Sequence, residues 1–340
     1  MEANVFQRIQ NNLVEKRQSL SAWLAGASES EKDIRLGPAT EQGVRAHLEV
    51  VEASLEQAAG QNLGLCEVCH TTIDTELLEM DYTCCICLDH LSEPERRQLE
   101  NELEFSQQVQ RALLPQRIPD IAGLKLAAFS RPAQMLSGDY FDFFQFSDES
   151  AGLAIADAMG HGVSASMIMT SLQTALRTLV PESSSPADVL GRINRFYLHN
   201  SRFTTFVTVF LGQYDPLTHR LTYCNAGHNP PALYRRQEQR VEWLPPTGAA
   251  IGLIEDNPLR SGEVRLEDGD MLLLYTDGVT EATNPQQEAF GVTRLANALR
   301  QSAGLTSREV VQSLRERLQE FTGEALLSDD VTLVVGVRLE

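Results

Sequence analysis

Apolar and polar positions change their period along the 340 residues of the chain. Near the N-terminus Val5, Ile9, Leu13, Leu20 and Leu24 recur at roughly helical spacing, as do Val44, Leu48, Val51 and Leu55. Steps of three and four put such side chains on one face of a helix. Two helices are predicted there, and the turn formers and charges of residues 28–38 predict a hairpin between them. A third helix is predicted from Ser92 to Leu114. Ser92 is a good N-cap, Pro94 suits the first turn, and Glu93 and Glu95 favour the positive end of the dipole. Pro115 should stop it. Its stripe of Leu99, Leu103, Val109 and Leu113 is too short and impure to specify a coiled coil. Two readings stay open: a surface helix on its own domain, or a linker that dimerises or transmits a signal.

After Pro119 the period shortens. Residues 124–129, 140–146, 152–156, 205–214, 221–224, 271–275 and 331–337 read as strands. Residues 164–179, 186–199, 292–299 and 307–321 read as helices. The strands bunch and the helices come in pairs, which predicts an α+β domain instead of repeated βαβ units. The expected organisation is an N-terminal module at 1–91, a linker helix at 92–116 and a larger domain at 117–340.

Charge narrows the function classes. The chain has 28 Lys and Arg against 47 Asp and Glu, a net charge of -19. That disfavours direct nucleic-acid binding, which needs clustered cations, and docking on an anionic membrane. No window is apolar enough to span a bilayer, and the first residues lack the pattern of a signal peptide. A cytoplasmic protein is expected.

Five of the six cysteines lie between Cys66 and Cys87. Cys66-Glu67-Val68-Cys69 and Cys84-Cys85-Ile86-Cys87 form two C-x-x-C knuckles with fourteen residues between them. Each such turn sets two thiolates on one side of a tetrahedron, so Cys66, Cys69, Cys84 and Cys87 read as a closed structural zinc site. His70 and His90 are spare candidates. The run from Gly64 to Cys69, the second knuckle and the preceding hairpin resemble the DksA/TraR-type zinc finger. Hairpin and inter-knuckle segment are shorter than usual in that family, so the resemblance carries the fold and the zinc, not the polymerase contact.

Four acidic motifs punctuate the larger domain: Ser137-Gly138-Asp139, Asp157-Ala158-Met159-Gly160-His161-Gly162, Tyr275-Thr276-Asp277-Gly278 and Asp329-Asp330-Val331-Thr332. Each Asp stands at the end of a strand-like run or just before one. Taken singly, Asp-Gly pairs are common turn formers. Together they offer the oxygen ligands that magnesium and manganese prefer.

This set, with Gln110-Arg111-Ala112-Leu113-Leu114-Pro115 and the run Asn225-Ala226-Gly227-His228-Asn229-Pro230-Pro231, resembles the PPM (type 2C) metal-dependent Ser/Thr phosphatases, in the SpoIIE/RsbU-like branch. The resemblance implies an αββα sandwich of two antiparallel sheets flanked by helices, with two Mn2+ or Mg2+ ions at one edge. By motif matching it implies Asp157 as the bridging ligand, the Ala158 carbonyl and Asp139 beside it, and Asp277 and Asp329 on the other side, with Asp330 the nearest alternative. Ser137 stands where the family usually has glycine, which stiffens that turn.

Such a centre hydrolyses a phosphoester with water, without a phosphoenzyme. For His161 two roles stay open, general acid and structural cap of the turn. His228 is expected to organise a nearby loop, and Arg131 to be either a phosphate contact or a surface residue. The expected substrate is a phosphoprotein, of which an anti-sigma-factor antagonist is the type that the resemblance suggests. A homodimer through the linker helix is compatible with this reading. The alternative is a transcription-associated zinc-finger protein that contacts RNA polymerase.

Overall fold

In the computed structural model, residues 3–26, 41–60, 63–73, 78, 83–160, 162–200, 206–323, 327 and 329–339 are described. The chain forms two compact units, Met1–Glu102 and Leu103–Glu340. The division falls inside the third helix, where the sequence set apart a linker at 92–116.

In the first unit, α1 (Ala3–Gly26) and α2 (Glu41–Ala59) are the two predicted helices. Their stripes bury Ile9, Leu13, Leu20 and Trp23 against Val44, Val51 and Ala58. Cys66, Ile73 and Cys87 extend the same small core, so the cysteine loops are packed onto the hairpin. The predicted turn at 28–38 lies outside the described residues. The third helix, α3 (Glu93–Leu113), ends just before the Leu114-Pro115 pair.

The second unit is built on two five-stranded sheets whose pairings between named strands are all antiparallel. The strands are β1 (Leu124–Arg131), β2 (Asp139–Gln145), β3 (Ala151–Ala158), β4 (Val207–Asp215), β5 (Arg220–Ala226), β6 (Ala232–Arg235), β7 (Arg240–Trp243), β8 (Gly262–Arg265), β9 (Met271–Tyr275) and β10 (Val331–Arg338). One sheet runs β1-β10-β9-β6-β7 and the other β2-β3-β4-β5-β8. Helices α4 (Gly162–Leu179) and α5 (Pro186–Asn200) cover the second sheet. After the short α6 (Asp277–Glu281), α7 (Gly291–Gln301) and α8 (Ser307–Thr322) cover the first.

The two-residue period of a strand explains the layering. Leu272 and Leu274 of β9 enter the core between the sheets with Leu153, Ile155, Phe210 and Val334. Met271, Leu273 and Tyr275 point the other way, against Leu295, Val310 and Leu314 of the helices. A strand covered on both faces has no polar side, and so it reads as an unbroken apolar run. Strands β6, β7 and β8 were not anticipated. Each has four residues, and Arg235, Arg240, Glu242, Glu263 and Arg265 dilute their apolar pattern. Among the described residues no helix is long and apolar enough to cross a membrane.

Candidate metal centres

At one end of the sandwich the two sheets deliver acidic residues toward each other. Asp139 opens β2, Asp157 is next to last in β3, and the two stand directly opposite in register. Side chains in that relation have Cβ atoms about 5 Å apart, and like charges there repel. From the first sheet, Asp277 opens α6 after β9, while Asp329 and Asp330 immediately precede β10, the neighbour of β9.

Hydrogen bonds bind the two sets together. Thr276 Oγ1 donates to Asp139 Oδ2 at 2.7 Å and accepts from Thr332 N at 3.0 Å. Asp330 Oδ1 accepts from Ala133 N, and its Oδ2 accepts from Ser137 Oγ and Gly138 N, each at 2.7 Å. Both Asp330 oxygens therefore hold the loop before Asp139. Bonded in this way, Asp330 acts on that loop as a positioning carboxylate. Asp329 Oδ1 accepts from Asp330 N at 2.8 Å. Ser137 does more than stiffen its turn, because Asp139 N donates to its hydroxyl at 3.1 Å.

The electrostatics call for cations. Burial raises the Asp157 carboxyl to about 9, with repulsion from Asp139, Asp277, Asp329 and Asp330 adding to it. Asp139 is pushed well above the usual carboxylate range, first by burial and then by Asp330 and Asp329. Burial, and then Glu281, also raises Asp277. No ion pair joins Asp139, Asp157 or Asp277 to a Lys or Arg among the described residues. Carboxylates crowded in this way are stable as anions only with a cation among them.

The backbone fits that demand too. Ala158 N donates to the Gly138 carbonyl at 3.1 Å. A side chain at Gly138 would press on the Ala158 and Gly160 carbonyls, whose oxygens lie 3.4 and 3.3 Å from its Cβ position. Glycine thus leaves these two oxygens room beside the carboxylates. Gly160 and Gly162 both take positive φ, 93° and 72°, which turns the chain sharply from β3 into α4. His161 lies outside the described residues.

A second layer supports Asp157. Thr208 is its partner on β4, and the Thr208 hydroxyl lies 3.4 Å from the Asp157 carbonyl and 2.8 Å from His228 Nδ1. His228 is buried, and that burial lowers its pKa to about 4, so it is neutral. This agrees with an organising role. Arg131 is exposed at the end of β1. Neither Thr208 nor Thr276 was singled out in the sequence. Thr276 stands inside a quoted motif, whereas Thr208 could be found only from the β3–β4 register.

The first unit holds a different cluster. One ligand atom each from Cys66, Cys69, Cys87 and His90 falls within 4.8 Å of the others. Cys69 and Cys87 Sγ are 3.7 Å apart, and His90 Nδ1 lies 3.1 Å from Cys87 Sγ and 3.9 Å from Cys66 Sγ. Cys84, expected in the set, is replaced by His90. Leu88–His90 is a 3-10 turn, which brings positions three apart onto one side and pairs Cys87 with His90. The Cys84 thiol instead donates to the Ile86 carbonyl at 3.1 Å. Donation from the Cys87 backbone lowers the Cys66 thiol to about 6.

The family model of Stage II sporulation protein E (SpoIIE) matches residues 147–338. The chain belongs to the SpoIIE family. It is 30% identical over 243 residues to the phosphoserine phosphatase RsbU of Bacillus subtilis, which covers 71% of each protein. It is 29% identical over 188 residues to the phosphoserine phosphatase RsbP of the same organism, or 54% of this chain and 46% of RsbP. Among solved structures, the SiaA-PP2C domain of Pseudomonas aeruginosa superposes with a TM-score of 0.63 at 24% identity, over 72% of this chain and 99% of that one. The RsbU and RsbW domains of a Mycobacterium tuberculosis protein give 0.57 at 30% identity, over 65% and 61%. The sandwich of this SpoIIE-family chain is thus the PP2C fold, and the second unit is a PP2C-type phosphatase domain. Asp139 and its loop precede the matched residues, while Asp157, Asp277 and Asp329 fall inside them.

Proposed function

We propose that this chain hydrolyses phosphoserine or phosphothreonine on a regulatory protein of the anti-sigma-factor-antagonist kind, using two Mn2+ or Mg2+ ions. The observation that carries this reading is the convergence of the buried, mutually repelling Asp139, Asp157 and Asp277, none of which has an ion-pair partner among the described residues. The similarity to RsbU and RsbP, both phosphoserine phosphatases by name, supports the substrate class. Asp139, Asp157, Asp277, Asp329 and the Ala158 carbonyl would hold the ions. When bound, they supply a water acidic enough to attack phosphorus and neutralise phosphoryl charge.

The chain's own task is placement. Thr276 fixes one Asp139 oxygen, Asp330 fixes the loop that leads into Asp139, and the β2–β3 register sets Asp157 opposite. His161, between Gly160 and Gly162 in the sequence, is the residue we assign as proton donor to the leaving oxygen.

In the first unit we propose structural zinc on Cys66, Cys69, Cys87 and His90. With Zn–S about 2.3 Å and Zn–N about 2.0 Å, the edges of a tetrahedron come to about 3.5–3.8 Å, close to the separations found. Free cysteines suit a reducing cytosolic setting. Exposed Phe105, Val109 and Leu113 give α3 an apolar stripe that supports a homodimer through this helix.

The test is phosphate release from a phosphoserine peptide by the full chain, with Mn2+, with Mg2+ and with chelator. We expect turnover only with metal, and a loss on the order of 10^3-fold in Asp157→Asn. Robust turnover in excess chelator overturns the two-ion reading.

A further inference from the structure

Glutamines tie the end of α3 to the acidic end of the sandwich. Gln110 Nε2 donates to the Ser137 carbonyl at 2.7 Å, and Gln110 Oε1 accepts from Ser137 N at 3.0 Å. One planar amide thereby satisfies both backbone groups of a single residue, which only one position of the loop relative to the helix allows. One turn earlier on the same helix face, Gln107 Nε2 donates to the Met135 carbonyl at 2.8 Å. From the other side, Gln173 of α4 donates to the Leu113 carbonyl. The helix end is therefore gripped by both chain segments that carry ligands of the second sheet: the loop before Asp139 and the helix after Asp157.

The Gln110 contact leads directly to the carboxylates. Ser137, with its backbone held by Gln110, donates its hydroxyl to Asp330 Oδ2 and accepts from Asp139 N. Its neighbour Gly138 accepts from Ala158 N. The loop has no regular secondary structure, so these bonds, with the buried Leu136, hold its position. A carboxylate in place of the Gln110 amide would keep an acceptor and lose the donor, and an ammonium would do the reverse.

We infer that Gln110 is a positioning residue for the cation site. It fixes loop 132–138, and through Ser137 it makes divalent-cation affinity depend on where α3 ends. The inference rests on the two-ion reading above, and its test separates the two.

In the full chain, Mn2+ binding is titrated by the paramagnetic resonance of free Mn2+. Amide hydrogen exchange over 132–138 is measured in chelator. Gln110→Ala should bind Mn2+ about tenfold more weakly, the scale on which residues that orient metal ligands act. The loop should exchange faster. Half-saturating Mn2+ for phosphopeptide turnover should rise in step, while turnover at saturating Mn2+ changes much less. Gln110→Glu, nearly the same shape, should fall between wild type and Gln110→Ala. Gln98→Ala, at an exposed bond within α3, should leave Mn2+ affinity unchanged.

Wild-type exchange over 132–138 together with Mn2+ affinity within about twofold of wild type in Gln110→Ala would overturn the inference. Should Gln110→Ala not fold, Gln110→Glu decides by the same two readouts. If the wild-type chain itself binds no more Mn2+ than Asp157→Asn, the two-ion reading fails, and the metal-free exchange comparison alone decides the clamp.

Discussion

The two candidate metal centres collect their ligands by opposite routes. Cys66, Cys69, Cys87 and His90 come from one stretch of 25 residues, on turns closed by His70 N to the Cys66 carbonyl and His90 N to the Cys87 carbonyl, packed on a small helical core. The carboxylates come from positions between 139 and 330, and meet only because two sheets stack and end together. Local turns can hold soft ligands at bonding separation before any ion binds. Buried carboxylates cannot be drawn so close without one, and their raised pKa values are the sign of that. On the zinc proposal the first centre would fasten its own unit, whereas the second sits where the larger fold brings its strand ends together.

The sharpest way to break this contrast is to remove the fastening. Structural zinc contributes roughly 10–16 kcal/mol of apparent binding energy to small domains, and most of that becomes folding energy. Cys87→Ser should abolish zinc content and collapse the helical signal of the first unit, as measured by elemental analysis and circular dichroism. His90→Ala should weaken zinc retention strongly, and Cys84→Ser should leave one zinc per chain. The reverse pattern, zinc lost in Cys84→Ser and kept in His90→Ala, would restore the C-x-x-C register that the sequence suggested.

How the two centres could be read beforehand follows from the same contrast. Cysteine spacing announces a local site, yet it cannot choose between Cys84 and His90. That choice depends on the 3-10 turn at Leu88–His90, which turns C-x-x-H inward and lets the Cys84 thiol bond to a backbone carbonyl. Apolar runs and periodicity gave the seven longer strands and the main helices, because strands buried on two faces and helices with one buried stripe carry strong patterns. The four-residue strands β6, β7 and β8 carry too few positions for one. At the acidic centre the motifs named the carboxylates through a family resemblance, not through spacing. Their supports were hidden. Ser137 binding Asp330 across 193 positions, or Thr276 binding Asp139 across 137, is a product of topology alone.

A milder probe acts on the support beneath Asp157. Folded His228 stays neutral down to about 4, whereas an unfolded histidine protonates near 6.5. Above pH 6.5 both states are neutral, and the stability associated with this residue is fully present. As pH falls from 6.5 toward 4 the unfolded chain takes up a proton that the folded chain refuses, and up to about 3 kcal/mol is lost. Denaturant unfolding of the metal-free chain should therefore show a steeper loss of stability between pH 6.5 and 4 in wild type than in His228→Gln. Equal slopes would mean that His228 is not buried against Thr208 as described. The cysteine centre has its own support, the Thr71 hydroxyl 2.9 Å from Cys69 Sγ, so its zinc retention should not respond to His228→Gln.

The smallest expected effect tests the close approach that lets distant strands share the acidic site. A Cβ on Gly278 would lie 2.0 Å from the Asp330 carbonyl oxygen and 2.9 Å from its carbon. Those atoms are backbone, immediately before a central strand, and cannot swing aside as a flexible side chain could. Alanine would favour the short helix α6 by up to about 1 kcal/mol, but the overlap forces Asp277 and the Asp329–Asp330 pair apart, an overpacking cost of about 1–3 kcal/mol. Gly278→Ala should thus lower the unfolding midpoint and weaken Mn2+ binding together. Gly304→Ala is the control. Its φ of 86° strains any side chain, yet nothing lies within 4 Å of the new Cβ, so it should cost about 1 kcal/mol of stability and leave Mn2+ affinity alone. If Gly278→Ala loses stability without losing affinity, the site tolerates displacement of its first-sheet ligands. The carboxylates would then be less dependent on the fold than the contrast with the cysteine module requires.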